Sequence, residues 1–165
     1  MHLNKEHLKE LIEKKQLVTN YIDLERQLTP NGIDLTVEKI ESFMGKGQLD
    51  FSNKKRVIPD TEELETNNGW WHLDKGVYKL TANEIVDIPK NLVGYGFPRS
   101  SLMRMGCFIE NGFWEAGYHG KTVCLLVVGN KKGVDIEKDA RVLQIAFKEI
   151  EGVKEGYRGN YGFEK

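Results

Sequence analysis

The strongest constraint on this chain lies in its second half, where strand-length apolar runs alternate with glycine-marked turns. Asn91–Phe97 (NLVGYGF), Thr122–Val128 (TVCLLVV) and Ala140–Ile150 (ARVLQIAFKEI) are each bounded by Gly, Pro, Asn or Asp. Apolar runs with that punctuation read as strands. Twelve of the 17 glycines fall between Gly94 and Gly162. An excess confined to one half points to tight turns, or to backbone brought close to a ligand. Upstream, Gly32–Ile40 alternates Ile33, Leu35 and Val37 with Asp34, Thr36 and Glu38, which predicts a half-buried strand following the Pro30-Asn31-Gly32 turn. Gly76–Pro89 predicts a strand, a turn and another strand. Phe43–Gly69 is polar and predicts a long excursion or hairpin ending at Asn68-Gly69. A single helix is legible at the N-terminus: Asn4 is its N-cap, Leu8, Leu11 and Ile12 repeat at helical spacing, and it stops near Lys15. Many short strands and little helix predict a mostly β barrel or sandwich. At 165 residues the chain is one domain, 1–165, with 152–165 as a flexible C-terminal arm.

Several function classes fall away. With 24 Lys+Arg against 25 Asp+Glu, the net charge of -1 argues against a sequence-independent nucleic-acid binder. No apolar run approaches the roughly 20 residues of a membrane span. The N-terminus is too charged for a signal peptide. Cys107 and Cys124 are far apart and lack a CxxC pattern, so reduced thiols and a cytoplasmic location are expected. The four histidines are scattered, without the HxE and PCxxC of zinc nucleobase deaminases.

Four segments could carry chemistry. In Phe97–Gly106 (FPRSSLMRMG), Arg99 precedes Ser100 and Ser101, where a short helix is expected to start; a guanidinium, two hydroxyls and a helix start form a phosphate cradle, or else an ordinary serine cap. In Asn111–Asn130, Glu115 lies in a turn beside Trp114, where it can orient a water or simply be a solvated carboxylate. Gln144 interrupts an apolar strand, so its amide is either networked or faces a polar site. Tyr157–Phe163 (YRGNYGF) combines Arg158, glycines and aromatics, which suits a lid on an anionic, ring-containing ligand or a disordered tail.

PNGIDL, PRSSLMRMG, GFWEAGYHG, ARVLQIAF and the terminal YRGNYGF resemble, in order, the five motifs of the dUTPase superfamily, which also contains the dCTP deaminases. The resemblance runs from about Pro30 to the C-terminus, and the helix ahead of PNGIDL resembles the dCTP-deaminase branch and its archaeal dUTPase relatives. It implies a distorted β-barrel with an N-terminal helix and one short internal helix, a homotrimer with sites between subunits, and Mg²⁺-assisted hydrolysis of dUTP to dUMP and pyrophosphate by water attack on the α-phosphorus. It implies that Glu115 orients the water. Arg99, Ser100, Ser101 and Gln144 would then contact phosphates, and Tyr118 would lie against the deoxyribose. Arg158 and Phe163 would belong to a closing arm, while Asp34, Arg104 and Gly120 support the site. Mg²⁺ would be held mainly by the triphosphate and water.

Three departures stand out. The deaminases' proton-shuttling glutamate corresponds to Leu125, which cannot move a proton. The family's water-holding aspartate is Glu115 here, one methylene longer. No Gly-Ser-Thr stretch follows Phe163, which predicts fewer donors for the γ-phosphate. A nucleotide-binding or regulatory protein with little turnover is therefore the alternative expectation, and a dCTP deaminase the more remote one.

Overall fold

A computed structural model describes residues 1–163, so the last two positions of the arm, Glu164 and Lys165, lie outside the described residues. In chain order the elements are α1 (Lys5–Lys15), β1 (Val18–Thr19), α2 (Leu24–Gln27), β2 (Leu28–Thr29), β3 (Gly32–Phe43), β4 (Thr61–Glu63) and β5 (Trp70–Leu73). There follow β6 (Gly76–Asp87), β7 (Leu92–Pro98), α3 (Ser100–Arg104), β8 (Cys107–Asn111), β9 (His119–Val128), β10 (Val134–Glu137) and β11 (Arg141–Glu149). The main sheet runs β7-β11-β3-β6-β9-β8, with β1 on β6 and β2 and β4 on β3; β10 and β5 form a separate ribbon. Its two edges meet where Gly94 of β7 pairs with Trp114 just beyond β8 (N···O 2.9 and 3.3 Å). That pair nearly closes the sheet into a barrel, as expected of a mostly β chain.

The N-terminal helix follows its sequence signals. Asn4 Oδ1 accepts from His7 N at 3.0 Å, and Gln16 ends the helix in the left-handed region. Leu8 and Ile12 face the core, one helical turn apart. The turn at Asn68 and Gly69 also forms as read: both have positive φ, and Asn67 and Trp70 exchange backbone hydrogen bonds across it.

Two strand readings need correction. β3 is buried on both faces, not half-buried: Asp34 and Thr36 are as enclosed as Ile33 and Leu35. The polar face is roofed by the segment before β3, where Gln27 and Leu28 are buried. Second, Gly76–Pro89 holds no turn between two strands. β6 runs unbroken to Asp87, and its pairing with β9 slips between Thr81 and Ile85. A register slip of this kind re-aims side chains without ending the strand, and here Glu84 is turned fully inside.

The core gathers Leu8, Ile33, Leu35, Leu80, Leu126, Ile145 and Phe147 between α1 and the barrel wall. Phe147 has no exposed surface, and its carbonyl accepts from Leu3 N at 3.0 Å, tying the N-terminus to β11. Phe147→Ala should therefore cost about 3–5 kcal/mol of folding stability, read by urea denaturation as a lower midpoint with an unchanged slope.

Candidate functional site

Two groups of candidate residues form, each on its own part of the barrel. The first is built on β11, which pairs with both β7 and β3. This pairing sets Gln144 opposite Asp34 on one side and Phe97 on the other. At the end of β7 the chain leaves the sheet at Arg99, whose backbone N–H donates to Val142 O (3.0 Å), and turns into α3. Asp34, buried on β3, therefore sits among converging donors. Arg99 Nε lies 2.9 Å from its Oδ2, and Arg141 Nη1 lies 3.5 Å from the same oxygen. Gln144 Nε2 donates to Oδ1 at 3.3 Å and to Thr29 Oγ1 at 3.1 Å. Arg99 is further fixed through Nη1 to Arg141 O at 3.1 Å.

The charge count of this cluster is one carboxylate against two guanidiniums. A positive surplus thus remains where both arginines reach solvent: the Arg99 side chain is 30% exposed and that of Arg141 39%. Ser100 and Ser101 open α3 beside them, both exposed, while Leu102 is buried and anchors the turn. Arg99 is the residue preceding the helix, and its side chain makes no capping hydrogen bond. The first turn of a helix leaves N–H groups without intrahelical acceptors. This half of the site therefore offers cations, hydroxyls and free N–H donors together, the usual equipment for an anion. The structure brings Asp34, Arg99, Ser100, Ser101 and Gln144 together here. Arg104, at the far end of α3, is exposed and makes no hydrogen bond or ion pair among the described residues. Arg141 belongs to the cluster although the sequence reading passed over it. It stands near the start of the Ala140–Ile150 run, where sequence pattern alone does not separate it from a surface arginine.

The second group surrounds a cleft of about 720 Å³ whose walls include Phe43, Trp114, Tyr118, Leu125, Tyr157 and Tyr161. Glu115 is exposed in the turn leading into β9, and its carbonyl accepts from Tyr118 N at 3.0 Å. Trp114 beside it is buried, held by the pairing with Gly94. Tyr118 donates its hydroxyl to Lys121 O (2.8 Å), and its ring meets Tyr157 edge to face at 5.3 Å. Burial, with Tyr157 beside it, raises the Tyr118 pKa, so the phenol stays neutral. Its oxygen fills the space over Gly120: a Cβ there would lie 2.8 Å from it. Leu125 lines the cleft, and its cross-strand partner on β8 is Glu110, which lines the cleft too. Glu110 carries no sequence signal of its own, because only its pairing with Leu125 across β8 and β9 brings it to the cleft.

The described residues of the arm, 152–163, take no helix or strand but are seated on this cleft. Tyr157 N donates to Ala116 O (2.8 Å) and Phe163 N to His119 O (2.7 Å). Gly156 lies so close to Gly117 that a Cβ on Gly117, whose φ is +84°, would come within 2.7 Å of it. Phe163 meets the His119 ring edge to face at 5.5 Å. Arg158 points away from these contacts, exposed and paired with Glu155 at 3.4 Å.

No hydrogen bond, ion pair or ring contact among the described residues joins the two groups. Trp114 is pinned to Gly94, and Arg99 lies five residues further along, so the strand rise of ~3.3 Å per residue separates Glu115 from Arg99 by roughly 16 Å within one chain. Cys124, on β9 in the wall of the cleft, is buried, and its thiol is pushed up to about 12.

Residues 2–150 match the family model described as dCTP deaminase-like. A protein of Methanococcoides burtonii described as a "probable deoxyuridine 5'-triphosphate nucleotidohydrolase" is 44% identical over 162 residues, covering 96% of this chain and 95% of its own. The deoxyuridine 5'-triphosphate nucleotidohydrolase of Methanocaldococcus jannaschii is 40% identical over 139 residues, covering 83% of this chain and 88% of its own. Among solved structures, the 2'-deoxycytidine 5'-triphosphate deaminase of Agrobacterium tumefaciens superposes over 91% of this chain with a TM-score of 0.67 at 23% identity. This chain spans about half of that structure's length, 48%, and the likeness concerns the fold.

The thiolate is the reactive form of cysteine. At pH 8 a thiol with a pKa near 12 is ionised to about one part in 10⁴. Iodoacetamide at pH 8 should thus leave Cys124 unmodified in the folded protein and label it once urea is added, as peptide mass spectrometry would report.

Proposed function

Because this chain belongs to the dCTP deaminase-like family, we propose that it is a dUTP diphosphatase, converting dUTP to dUMP and pyrophosphate. The observation that carries this reading is the Asp34-centred cluster. It combines a net positive charge, two exposed hydroxyls and a helix start in one place, and the chain's curated archaeal relatives are named for dUTP hydrolysis over nearly their whole length.

In this reading Arg99, Ser100, Ser101 and Gln144 hold the triphosphate, and Arg141 adds a second guanidinium. Charge-assisted donors fixed before substrate arrives stabilise the charge that builds on the transferring phosphoryl group. Glu115 orients the attacking water at the α-phosphorus. It is exposed and its carboxylate makes no hydrogen bond or ion pair among the described residues, which leaves both oxygens available for that task. Tyr118, neutral and tethered, is the wall against the deoxyribose, and the turn through Gly120 with the strand after it reads the base. Arg158 and Phe163 belong to the arm that covers the bound nucleotide. Asp34 supports the site from beneath.

Mg²⁺ is part of the proposal, carried mainly by triphosphate oxygens and water. The described residues hold no cluster of three His, Cys, Asp or Glu, and Asp34 already serves two arginines and Gln144. Glu115, exposed in its turn, would be able to meet the ion through water. Mg²⁺ binds through one or two carboxylates plus substrate phosphates, and supplies neutralisation of the phosphate charge.

The distance between the halves supports a homotrimer, in which the water-orienting turn of one subunit faces the phosphate cluster of the next. A cytoplasmic location fits the dNTP substrate, and no helix among the described residues is long and apolar enough to cross a membrane.

A second reading, deamination of dCTP, draws on Glu110, which keeps a carboxylate in the cleft beside Leu125. One panel separates the two: dUTP, dCTP and UTP with Mg²⁺, assayed for pyrophosphate and for ammonia. The expected result is pyrophosphate from dUTP, abolished by EDTA, with Glu115→Gln slower by at least about 100-fold. Equal pyrophosphate release by wild type and Glu115→Gln would refute the assignment, and ammonia from dCTP would favour the second reading.

A further inference from the structure

Three carboxylates are buried among the described residues. Asp34 and Glu41 face cations. Glu84, on β6, is fully buried and has no ion pair among the described residues. Burial raises its pKa, and a carboxyl group in that position is costly unless its oxygens are met by donors. They are. Thr36 N donates to Oε2 at 2.9 Å, while Thr36 Oγ1 and Gln27 Nε2 each donate to Oε1 at 2.7 Å.

These donors lead back to the phosphate cluster. Gln27 Nε2 also donates to the backbone carbonyl of Asp34 (2.8 Å), and Gln27 Oε1 accepts from Ile22 N and Asp23 N. Glu84 therefore grips β3 at residue 36 directly and at residue 34 through one amide. This is also where the sheet is least regular. The pairing of β3 with β11 slips next to Thr36, its pairing with β6 slips next to Val37, and β6 slips against β9 around Glu84 itself. A regular ladder would hold Asp34 by repetition; at a triple slip it needs another anchor.

We propose that Glu84 is a positioning residue for triphosphate binding: through Thr36 and Gln27 it sets the backbone of β3 at residues 34–36 and thereby holds the Asp34 carboxylate where it aims Arg99. The inference rests on the assignment of Arg99 to the phosphates. A buried group that merely stabilised the barrel would affect both halves of the site alike. A positioning group acts on the phosphate half alone.

The test compares two ligands: the non-hydrolysable α,β-imido analogue of dUTP, by calorimetry, and 2'-deoxyuridine, which carries base and sugar only, by NMR titration. Glu84→Gln puts an amide donor against the Thr36 and Gln27 donors in either orientation. Thr36→Val, nearly isosteric, removes the hydroxyl bond to Glu84 and keeps the backbone one, so it decides the matter if Glu84→Gln does not fold. The expected result is analogue binding weaker on the order of 10-fold for Glu84→Gln, and less for Thr36→Val, with deoxyuridine binding within about twofold of wild type. In an Asp34→Asn background Glu84→Gln should bring no further loss, because both act on one contact. Equal weakening of both ligands, no weakening of the analogue, or full additivity with Asp34→Asn overturns the inference. A wild-type protein that binds neither ligand overturns instead the dUTP reading beneath it.

Discussion

One buried carboxylate organises this molecule's chemistry. Asp34 sits at the middle of the sheet with two guanidiniums and an amide converging on it. Burying a lone charge is prohibitive, and a buried ion pair is tolerated only with good geometry and further hydrogen bonds. Asp34 meets those terms by drawing Arg99 from the end of β7 and Arg141 and Gln144 from β11. The carboxylate satisfies itself with one positive charge to spare. Strand order makes this possible, since β11 lies between β7 and β3 and carries its polar residues to the seam between them. The barrel is thus more than a scaffold beneath the cluster, because three of its strands, β7, β11 and β3, are also the cluster's frame.

The sequence carried much of this plainly. Strands with apolar runs and Gly or Pro at their ends were found close to their boundaries, and the N-terminal helix declared itself through Asn4 and the Leu8–Ile12 spacing. What stayed hidden shares a cause. Asp34 and Thr36 look like the wet side of an alternating strand, and only the segment that roofs them makes them buried. Periodicity reports which residues share a face, not what covers that face. β6 reads as two strands because Ala82-Asn83-Glu84 breaks the pattern, while the backbone passes through with a slip in register. Arg141 and Glu110 escaped for a related reason: each is an unremarkable charged residue until a neighbouring strand supplies its context.

The site residues named from the motif resemblance sort into two sets that one chain does not bring together. Linear order says nothing of which copy a motif serves. Arg99 and Gln144 meet because β7 and β11 pair, whereas Glu115 is carried away by the link from Trp114 to Gly94 at the barrel seam. The same link makes the seam and the Glu115 turn a single mechanical unit.

The way the arm is held has a consequence for how this protein can change. Its ties to the hairpin run through main-chain atoms, from Tyr157 N to Ala116 O and from Phe163 N to His119 O, and through the close passage of Gly156 over Gly117. Two ring contacts add to those ties, Tyr157 on Tyr118 and Phe163 on His119. A substitution at an arm position that makes no ring contact therefore keeps the main-chain ties, whereas one at Tyr157 or Phe163 also gives up a ring contact. Gly117 is the strictest position, since its φ is +84° and a Cβ on it would come within 2.7 Å of Gly156, so a side chain there would lift the arm from the hairpin.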